Sequence, residues 1–275
     1  QLRDVDGLIY RIKGSVAMTS PRKFIDDLDK LPVYAWDLLP NLTEMYKTPS
    51  FTLGADKGSS LITSRGCFGK CTFCDRRVFG REIRSFSARR IFKMMSILNE
   101  QYGVDEIIIH DDSFVTNHKI VKEVCHLLIE SGTTLHWGCN ARVDVVKPEL
   151  LKTMKSGGCN HIGYGIESGN QAVLERIKKG TTLEKVRQAV EWTKEAGIFV
   201  RGFFMIGHPG ETVETIKDTI EFALSLPIDD FQITYFTPLP GTEIYENVDD
   251  FGTLNEDWQL MNMWRPAFVP HSLTA

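Results

Sequence analysis

The strongest constraint on the fold of this 275-residue chain is a regular alternation of strand-like and helix-like segments that begins near Leu61. Apolar runs rich in β-branched residues alternate with segments whose apolar residues recur at helical spacing. Six strands are predicted, at Leu61–Thr63, Glu106–His110, Leu135–Gly138, His161–Ile166, Phe199–Ile206 and Phe231–Phe236. Five helices are predicted between them, at Ala88–Glu100, His118–Glu130, Pro148–Lys155, Leu183–Glu195 and Val213–Ser225. This alternation is typical of a parallel sheet covered by helices.

The length of the alternating region decides which parallel-sheet fold is expected. An eight-stranded barrel needs about 250 residues, whereas residues 59–246 are fewer and contain six units. The sequence therefore predicts an α/β fold, a partial (β/α)6 barrel of the TIM type. Residues 1–58 are predicted to form an N-terminal linker segment, with a small β-hairpin turning at Lys13 and Gly14. Residues 247–275 are predicted to be a C-terminal extension.

Composition and charge exclude several classes of function. A hydrophobic content of 42% is ordinary for a globular protein, and a net charge of −4 provides no broad basic surface for nucleic acid. No apolar run approaches the roughly 18 residues of a membrane span, and the N-terminus lacks a signal-peptide pattern. We therefore expect a cytoplasmic protein with no nucleic-acid partner.

Three of the six cysteines lie directly after the first predicted strand, in the segment SSLITSRGCFGKCTFCD. Cys67, Cys71 and Cys74 have the spacing CxxxCxxC, and thiolates suit zinc or iron-sulfur clusters. A structural zinc site normally has four protein ligands, and no further Cys or His pair follows at finger-like spacing. The residues alone leave two interpretations open: a metal centre with one free coordination position, and a zinc knuckle or a chance group of buried thiols.

The motif resembles the CxxxCxΦC signature of the radical S-adenosylmethionine (SAM) enzymes, with Phe73 at the aromatic position. The resemblance implies that Cys67, Cys71 and Cys74 hold a [4Fe-4S] cluster whose fourth iron binds SAM, and that Phe73 lies beside the adenine. It also implies that the reduced cluster splits SAM into methionine and a 5′-deoxyadenosyl radical, which abstracts a substrate hydrogen. The expected partners are a small-molecule substrate and a one-electron donor such as flavodoxin.

The resemblance places further SAM contacts within or directly after the predicted strands, because sites in such barrels lie at the carboxyl ends of the strands. The candidates are Asp112, Arg142, Glu167, Ser168, Arg201, Gly202 and Met205. Asp111 and Asp112 stand where many family members have GGE, and they equally suit a helix N-terminus. Arg142 matches the SAM carboxylate in geometry or forms a salt bridge with Asp144. Cys139 is either a fourth thiol facing the cavity or a small buried hydrophobe.

Two other segments carry weaker signals. Six arginines follow the cysteines, at Arg76, Arg77, Arg81, Arg84, Arg89 and Arg90. They form a solvated face, or some of them attract an acidic electron donor. In the linker, the run FIDDLDKLPVYAWDLLP resembles the connection that precedes the barrel in cobalamin-binding radical SAM enzymes. A proline-rich extended segment packed on the barrel would have a similar sequence pattern.

The linker resemblance implies a cobalamin-dependent methyltransferase, with cobalamin held by a domain upstream of Gln1 in a longer parent protein. One alternative is a radical SAM enzyme without cobalamin, such as a methylthiotransferase. Another is a non-catalytic metal-binding or redox-sensing module.

Overall fold

A six-stranded parallel sheet forms the centre of the computed structural model, which describes residues 2–46 and 56–273. Each strand pairs with the next one along the chain, so that β1 and β6 lie at the two edges of the sheet. The strands are Gly58–Leu61 (β1), Glu106–Ile109 (β2), His136–Ala141 (β3), Cys159–Glu167 (β4), Phe199–Ile206 (β5) and Asp230–Tyr235 (β6). The predicted partial barrel with six βα units is confirmed.

Helices connect consecutive strands and cover the outer face of the sheet. They are Ala88–Tyr102 (α1), His118–Ser131 (α2), Pro148–Ser156 (α3), Gln171–Arg176 (α4), Leu183–Glu195 (α5) and Val213–Ser225 (α6). Local sequence sets their ends. Ser87 accepts a hydrogen bond from the Arg90 amide at the start of α1, and Gly103 ends that helix in the left-handed conformation.

The structure differs from the prediction at two places in the barrel. The first strand runs over Gly58–Leu61 rather than Leu61–Thr63, and therefore begins one residue before the predicted domain boundary. It cannot continue through Thr63, because the amide and hydroxyl of Thr63 are bonded to Asp111. Helix α4 was not predicted, because its six residues are too few to show a helical period.

The main core lies between the sheet and the helices. Outward-facing strand residues such as Ile107, Trp137 and Tyr164 are fully buried there, against helix residues such as Met94 and Val190. Cys125, Cys139 and Cys159 also lie in this core, which accounts for their scatter along the sequence. Cys139 is therefore the small buried hydrophobe of the two alternatives, and burial raises the pKa of its thiol.

The N-terminal segment forms the predicted hairpin and then packs on the barrel. Strands Ile9–Ile12 and Ser15–Met18 pair antiparallel around Lys13 and Gly14, both of which have positive φ as a tight type I′ turn requires. Further along, Leu28, Trp36 and Leu42 are buried in the main core. The segment after the hairpin is thus an extended connection bound to the barrel. Its predicted end, residues 47–55, lies outside the described residues.

The C-terminal extension contains an antiparallel pair of strands, Gly252–Leu254 with Phe268–Pro270, and the short helix Glu243–Glu246 precedes it. The backbone amide of Tyr235 in β6 donates to the carbonyl of Met263, so the extension contacts the edge of the sheet. Across the described part of the chain, every helix is too short or too polar to cross a membrane.

Candidate cluster and cofactor site

The three cysteines lie on a loop that a short antiparallel pair of strands closes, Ser64–Arg65 with Arg84–Ser85. The loop starts at Gly66, which has φ +97°; a Cβ there would lie 2.2 Å from the carbonyl oxygen of Glu82. Only glycine fits this close approach. Arg76 donates from Nη1 to the carbonyls of Gly69 (2.8 Å) and Cys71 (3.2 Å), which holds the loop in shape. We call residues 66–83 the cluster loop.

Cys67, Cys71 and Cys74 all line one cavity of about 490 Å³ at the mouth of the barrel. Phe73 and Asp112 line the same cavity. A hydrogen bond from the Cys74 thiol lowers the pKa of Cys71 to about 6, and the same bond raises the pKa of Cys74. Burial opposes the shift at Cys71, whereas the positive charges of Lys179 and Arg142 support it. The lowered pKa of Cys71 favours its thiolate, which is the form that binds metal.

The arrangement of these thiols suits a cluster better than a single metal ion. A tetrahedral zinc site gathers its ligands around one point, and within residues 2–46 and 56–273 no group of three or more His, Cys, Asp or Glu side chains is placed to hold a single metal ion. In a [4Fe-4S] cluster the cysteines ligate different irons, so three thiols around a cavity are sufficient. The cavity and its donor set therefore fit such a cluster.

Arg142 joins the end of β3 to the cluster loop. Its Nε and Nη2 donate to the Asp144 carboxylate at 2.9 and 3.0 Å, and Nη2 also donates to the carbonyl of Lys179 at 2.7 Å. Its Nη1 lies 3.8 Å from the sulfur of Cys71. The predicted salt bridge with Asp144 is present, and it leaves one end of the guanidinium directed at the cluster loop.

Glu167 ends β4 in an unusual backbone conformation beside the same loop. The pairing of β4 with β5 shifts register between Gly165 and Glu167, and Glu167 has φ +71°, which is uncommon for a residue other than glycine. Its carboxylate lies 2.6 Å from Nζ of Lys179, and both residues are buried. Glu167 and the Cys71 thiolate raise the pKa of Lys179 against the opposing effect of burial. The sequence analysis missed Lys179, which lies in the connection after α4 rather than at a strand end.

His208 is a second residue that the sequence analysis did not select as a site residue. It is fully buried behind Phe73, and neither ring nitrogen has a hydrogen-bond partner among the described residues. Burial lowers its pKa to about 3. Glu211 fixes the turn that carries it, since Oε2 accepts from the amides of Gly207 (2.6 Å) and His208 (3.1 Å). Oε1 of Glu211 is likewise buried without a partner in the described structure.

The two aspartates after β2 have different roles. Asp111 is buried and accepts from the hydroxyls of Thr63 (2.6 Å) and Ser64 (2.7 Å), so it ties the end of β2 to the start of the cluster loop. Asp112 is exposed and accepts from the amide of Gly66 at 3.1 Å. Of the pair, only Asp112 lines the cysteine cavity.

Three predicted SAM contacts lie apart from the cluster loop. Ser168 is fully buried, and its hydroxyl pairs with that of Thr219 at 3.1 Å. Arg201 is the third residue of the eight in β5 and pairs with Asp230, near the amino ends of the strands. Gly202 is directed towards Ile166 and Ile228 in the helix layer, because successive strand residues point to opposite faces.

Met205, the remaining β5 candidate, lies on the inner face of the sheet near the carboxyl end of its strand. Alternation along the strand places it on the same side as Phe203, which borders Gly163 of β4. Gly202 and Met205 therefore lie on opposite faces of the sheet, and only Met205 is on the inner face.

Several of the arginines after the cysteines are structural. Arg84 donates to the carbonyls of Ile25 and Phe79, at 2.8 and 2.6 Å, and Arg90 donates to that of Leu31 at 2.6 Å. Together with Arg76, these residues brace the chain and do not form a solvated face. Exposed positions remain at Arg77, Arg81 and Arg89.

Sequence comparison identifies the family of this cysteine loop. The family model described as the Radical SAM superfamily matches residues 61–223, which is more than half of the chain. The chain belongs to the radical SAM superfamily. Membership implies a [4Fe-4S] cluster and SAM as cofactors, so the predicted family and these two cofactors are confirmed.

Individual relatives of this radical SAM chain support the same family. It is 36% identical over 247 residues to an uncharacterised methyltransferase of Pyrococcus horikoshii, an alignment that covers 90% of this chain and 52% of the relative. It is 28% identical over 256 residues to a putative methylthiotransferase of Methanocaldococcus jannaschii, covering 89% of this chain and 54% of the relative. The chain therefore spans about half the length of these curated relatives.

A solved structure supports the fold. The apo, selenomethionine-labelled form of OxsB, a cobalamin-dependent SAM radical enzyme, superimposes on this chain with a TM-score of 0.77 at 22% identity. The superposition covers 98% of this chain and 45% of OxsB. At this level of identity the likeness shows the fold alone.

Proposed function

We propose that this chain is the cluster- and SAM-binding core of a cobalamin-dependent radical SAM methyltransferase. The observation that carries the proposal is the cluster loop, on which three cysteines line one cavity beside the carboxyl ends of the strands. The name of the Pyrococcus horikoshii relative supports methyl transfer. When bound, the cluster and SAM supply the one-electron chemistry that activates a carbon–hydrogen bond of the substrate.

The residues around the cavity have separate tasks in this proposal. Cys67, Cys71 and Cys74 hold the cluster, and the positive charges of Arg142 and Lys179 stabilise the negative charge of the thiolates. Charges buried near a cluster also influence how readily it accepts an electron.

SAM carries both an ammonium and a carboxylate at its amino-acid end. The buried pair of Glu167 and Lys179 offers one group of the opposite charge to each. We assign this pair to the amino-acid end of SAM, and Phe73 and Met205 to its adenosine end, where apolar surface is needed. Asp112, at the rim of the cavity, is assigned to the polar groups between them.

Anaerobic reconstitution tests the cluster assignment. Cys67→Ala, Cys71→Ala and Cys74→Ala should each abolish the [4Fe-4S] absorbance and SAM cleavage. Cys125→Ala is the matched control, because Cys125 is buried in the main core away from the loop. Iron and sulfide analysis gives the decisive readout. Tight zinc without sulfide, or equal damage from all four substitutions, would refute the proposal.

Cobalamin dependence has its own test. We expect cobalamin to be held by another domain of the full-length protein, since OxsB, a cobalamin-dependent enzyme, is matched over only 45% of its length. Residues 1–275 with dithionite and SAM should then release 5′-deoxyadenosine without transferring a methyl group. Stoichiometric cobalamin bound to this chain, or multiple-turnover methyl transfer without added corrinoid, would contradict the assignment.

The Methanocaldococcus jannaschii relative favours a second candidate, transfer of a methylthio group. The two reactions differ in the atoms they add to the acceptor, because only the second adds sulfur. Mass spectrometry of the product formed by the full-length enzyme separates them. A sulfur-containing product would replace the methyltransferase proposal with this alternative.

A further inference from the structure

Arg142 lies between the cysteine cavity and a second cavity. The second cavity has a volume of about 620 Å³, and its lining includes Phe68, Gly69 and Arg142 itself. Gly69 also lines the cysteine cavity, so the two cavities meet at this residue of the cluster loop. Arg142 is 9% exposed. A nearly buried positive charge therefore lies where the cluster loop divides the two cavities.

Several contacts fix the orientation of this guanidinium. Nε and Nη2 bind the two oxygens of the Asp144 carboxylate, and Nη2 also donates to the carbonyl of Lys179. Cζ lies 5.2 Å from the centre of the Phe68 ring, which is a cation–π distance. A planar fork held by a carboxylate, a carbonyl and an aromatic ring cannot rotate without breaking these contacts. Nη1 takes part in none of the three hydrogen bonds and is directed at the cluster loop.

Gly69 provides the space in which Nη1 approaches the sulfurs. A Cβ at this position would lie 3.2 Å from Nη1 of Arg142, 3.4 Å from Sγ of Cys67 and 3.8 Å from Sγ of Cys71. The guanidinium and both sulfurs therefore border the same small volume. Nη1 itself lies 3.8 Å from Sγ of Cys71, and the contact has the geometry of an N–H···S hydrogen bond.

A fixed positive charge in this place acts on the electron affinity of a cluster. Reduction adds one negative charge to the cluster and its thiolates, so a nearby cation stabilises the reduced form more than the oxidised form. Hydrogen bonds to the sulfurs have the same direction of effect, and they are among the factors that set cluster potentials. The guanidinium stays protonated at every accessible pH. Asp144 binds the edge formed by Nε and Nη2, so the positive end of the ion pair is the one nearest Cys71.

We propose that Arg142 raises the reduction potential of the [4Fe-4S] cluster by donating a hydrogen bond from Nη1 to the Cys71 thiolate. The inference rests on the proposed function, since it takes Cys71 to be a cluster ligand. In the step that it affects, one electron passes from an external one-electron donor to the oxidised cluster, and no covalent bond forms or breaks. Arg142 makes that transfer easier without gaining or losing a proton.

A redox titration of the reconstituted protein with dithionite, followed by the EPR signal of the reduced cluster, tests this role. Arg142→Met combined with Asp144→Asn removes both charges of the ion pair, so that no buried carboxylate is left unpaired. At the potential that reduces half of the wild-type cluster, we expect the ratio of reduced to oxidised cluster to fall about 10-fold in this double variant. For a one-electron couple that is a shift of about 59 mV, at the lower end of what a hydrogen bond to a charged group contributes.

Two further variants show whether the effect is local. Arg142→Lys keeps the positive charge, but lysine cannot hold Asp144 with a fork and reach Cys71 at once, so its ratio should lie between those of wild type and the double variant. Lys185→Gln removes an exposed positive charge from the wall of the second cavity. It should leave the ratio almost unchanged, because solvent screens that charge. A fall in Lys185→Gln as large as in the double variant would overturn the inference.

The remaining outcomes are also decisive. If the wild type forms no [4Fe-4S] cluster, the proposed function itself fails. If wild type and the double variant both form the cluster and titrate at the same potential, the role of Arg142 alone is overturned. If iron and sulfide analysis shows that the double variant holds no cluster, Arg142→Lys decides, since a potential equal to that of wild type would then contradict a directed hydrogen bond.

Discussion

Replacing His208 should change how the stability of the protein depends on pH. Burial lowers the pKa of the folded imidazole to about 3, against an ordinary value of 6.5. Lys179 and Arg176 lower it further by repulsion, and the carbonyl of Glu167 opposes them. Between these two pH values the unfolded chain binds a proton that the folded protein does not. The stability contributed by the neutral ring is therefore complete above about pH 6.5 and is lost as the pH falls towards 3.

The size of the effect follows from the two pKa values. Near pH 7.5 the ring is neutral in both states and contributes almost nothing to the pH dependence. At pH 5 protonation of this ring in the unfolded chain lowers the free energy of unfolding by about 2 kcal/mol relative to pH 7.5. Each pH unit below 6.5 contributes about 1.4 kcal/mol. His208→Leu removes this dependence. The wild type should therefore lose about 2 kcal/mol more than the variant between these two conditions.

Urea denaturation followed by tryptophan fluorescence measures the difference, provided that the slope of the transition is the same for both proteins. Any packing change caused by leucine shifts the variant equally at both pH values and cancels from the comparison. Parallel curves for wild type and variant across the range would refute the reasoning. They would mean that the folded ring accepts a proton as easily as the unfolded one.

Three further predictions concern the surroundings of the cluster loop. Lys179→Met should lower the free energy of unfolding by about 3–5 kcal/mol, because it leaves the Glu167 carboxylate buried and unpaired. Adding Glu167→Gln should recover much of the loss, and denaturation of the single and double variants measures both effects. Asp111→Asn should cost about 1–3 kcal/mol, whereas the exposed Asp112→Asn should cost much less, and equal losses would contradict the different roles given to them. The rate at which an acidic protein donor reduces the cluster should fall several-fold as the salt concentration rises from low to physiological levels. The rate should depend less steeply on salt in Arg81→Gln. A rate independent of salt would exclude electrostatic attraction of the donor.

The regular parts of the fold could be predicted because they depend on local patterns. The alternation of apolar runs and helical periods located the six strands, and the Lys13-Gly14 pair located the hairpin turn. The end of β1 was misplaced because a long-range contact decides it. Asp111, 48 residues away from Thr63, accepts its amide and ends the strand. No local pattern around Thr63 contains that information.

The site residues likewise divide into those that a local sequence pattern predicts and those that depend on long-range contacts. The spacing of Cys67, Cys71 and Cys74 is a local signal and identified the metal ligands to be tested. Lys179 could not be found locally, since its role depends on the chain bringing it to Glu167, 12 residues earlier. Gly202 is a different case. The two-residue period of a strand already places it opposite Met205, so the information was present in the sequence.

The way the N-terminal segment is attached affects how this protein can be divided into pieces. A fragment starting at Gly58, the first strand of the sheet, would contain every cluster ligand. It would also leave open the apolar sites that Leu28, Trp36 and Leu42 fill, and remove the backbone carbonyls that Arg84 and Arg90 bind. Exposed apolar surface of this kind promotes self-association. A minimal soluble unit of this barrel must therefore begin well before its first strand.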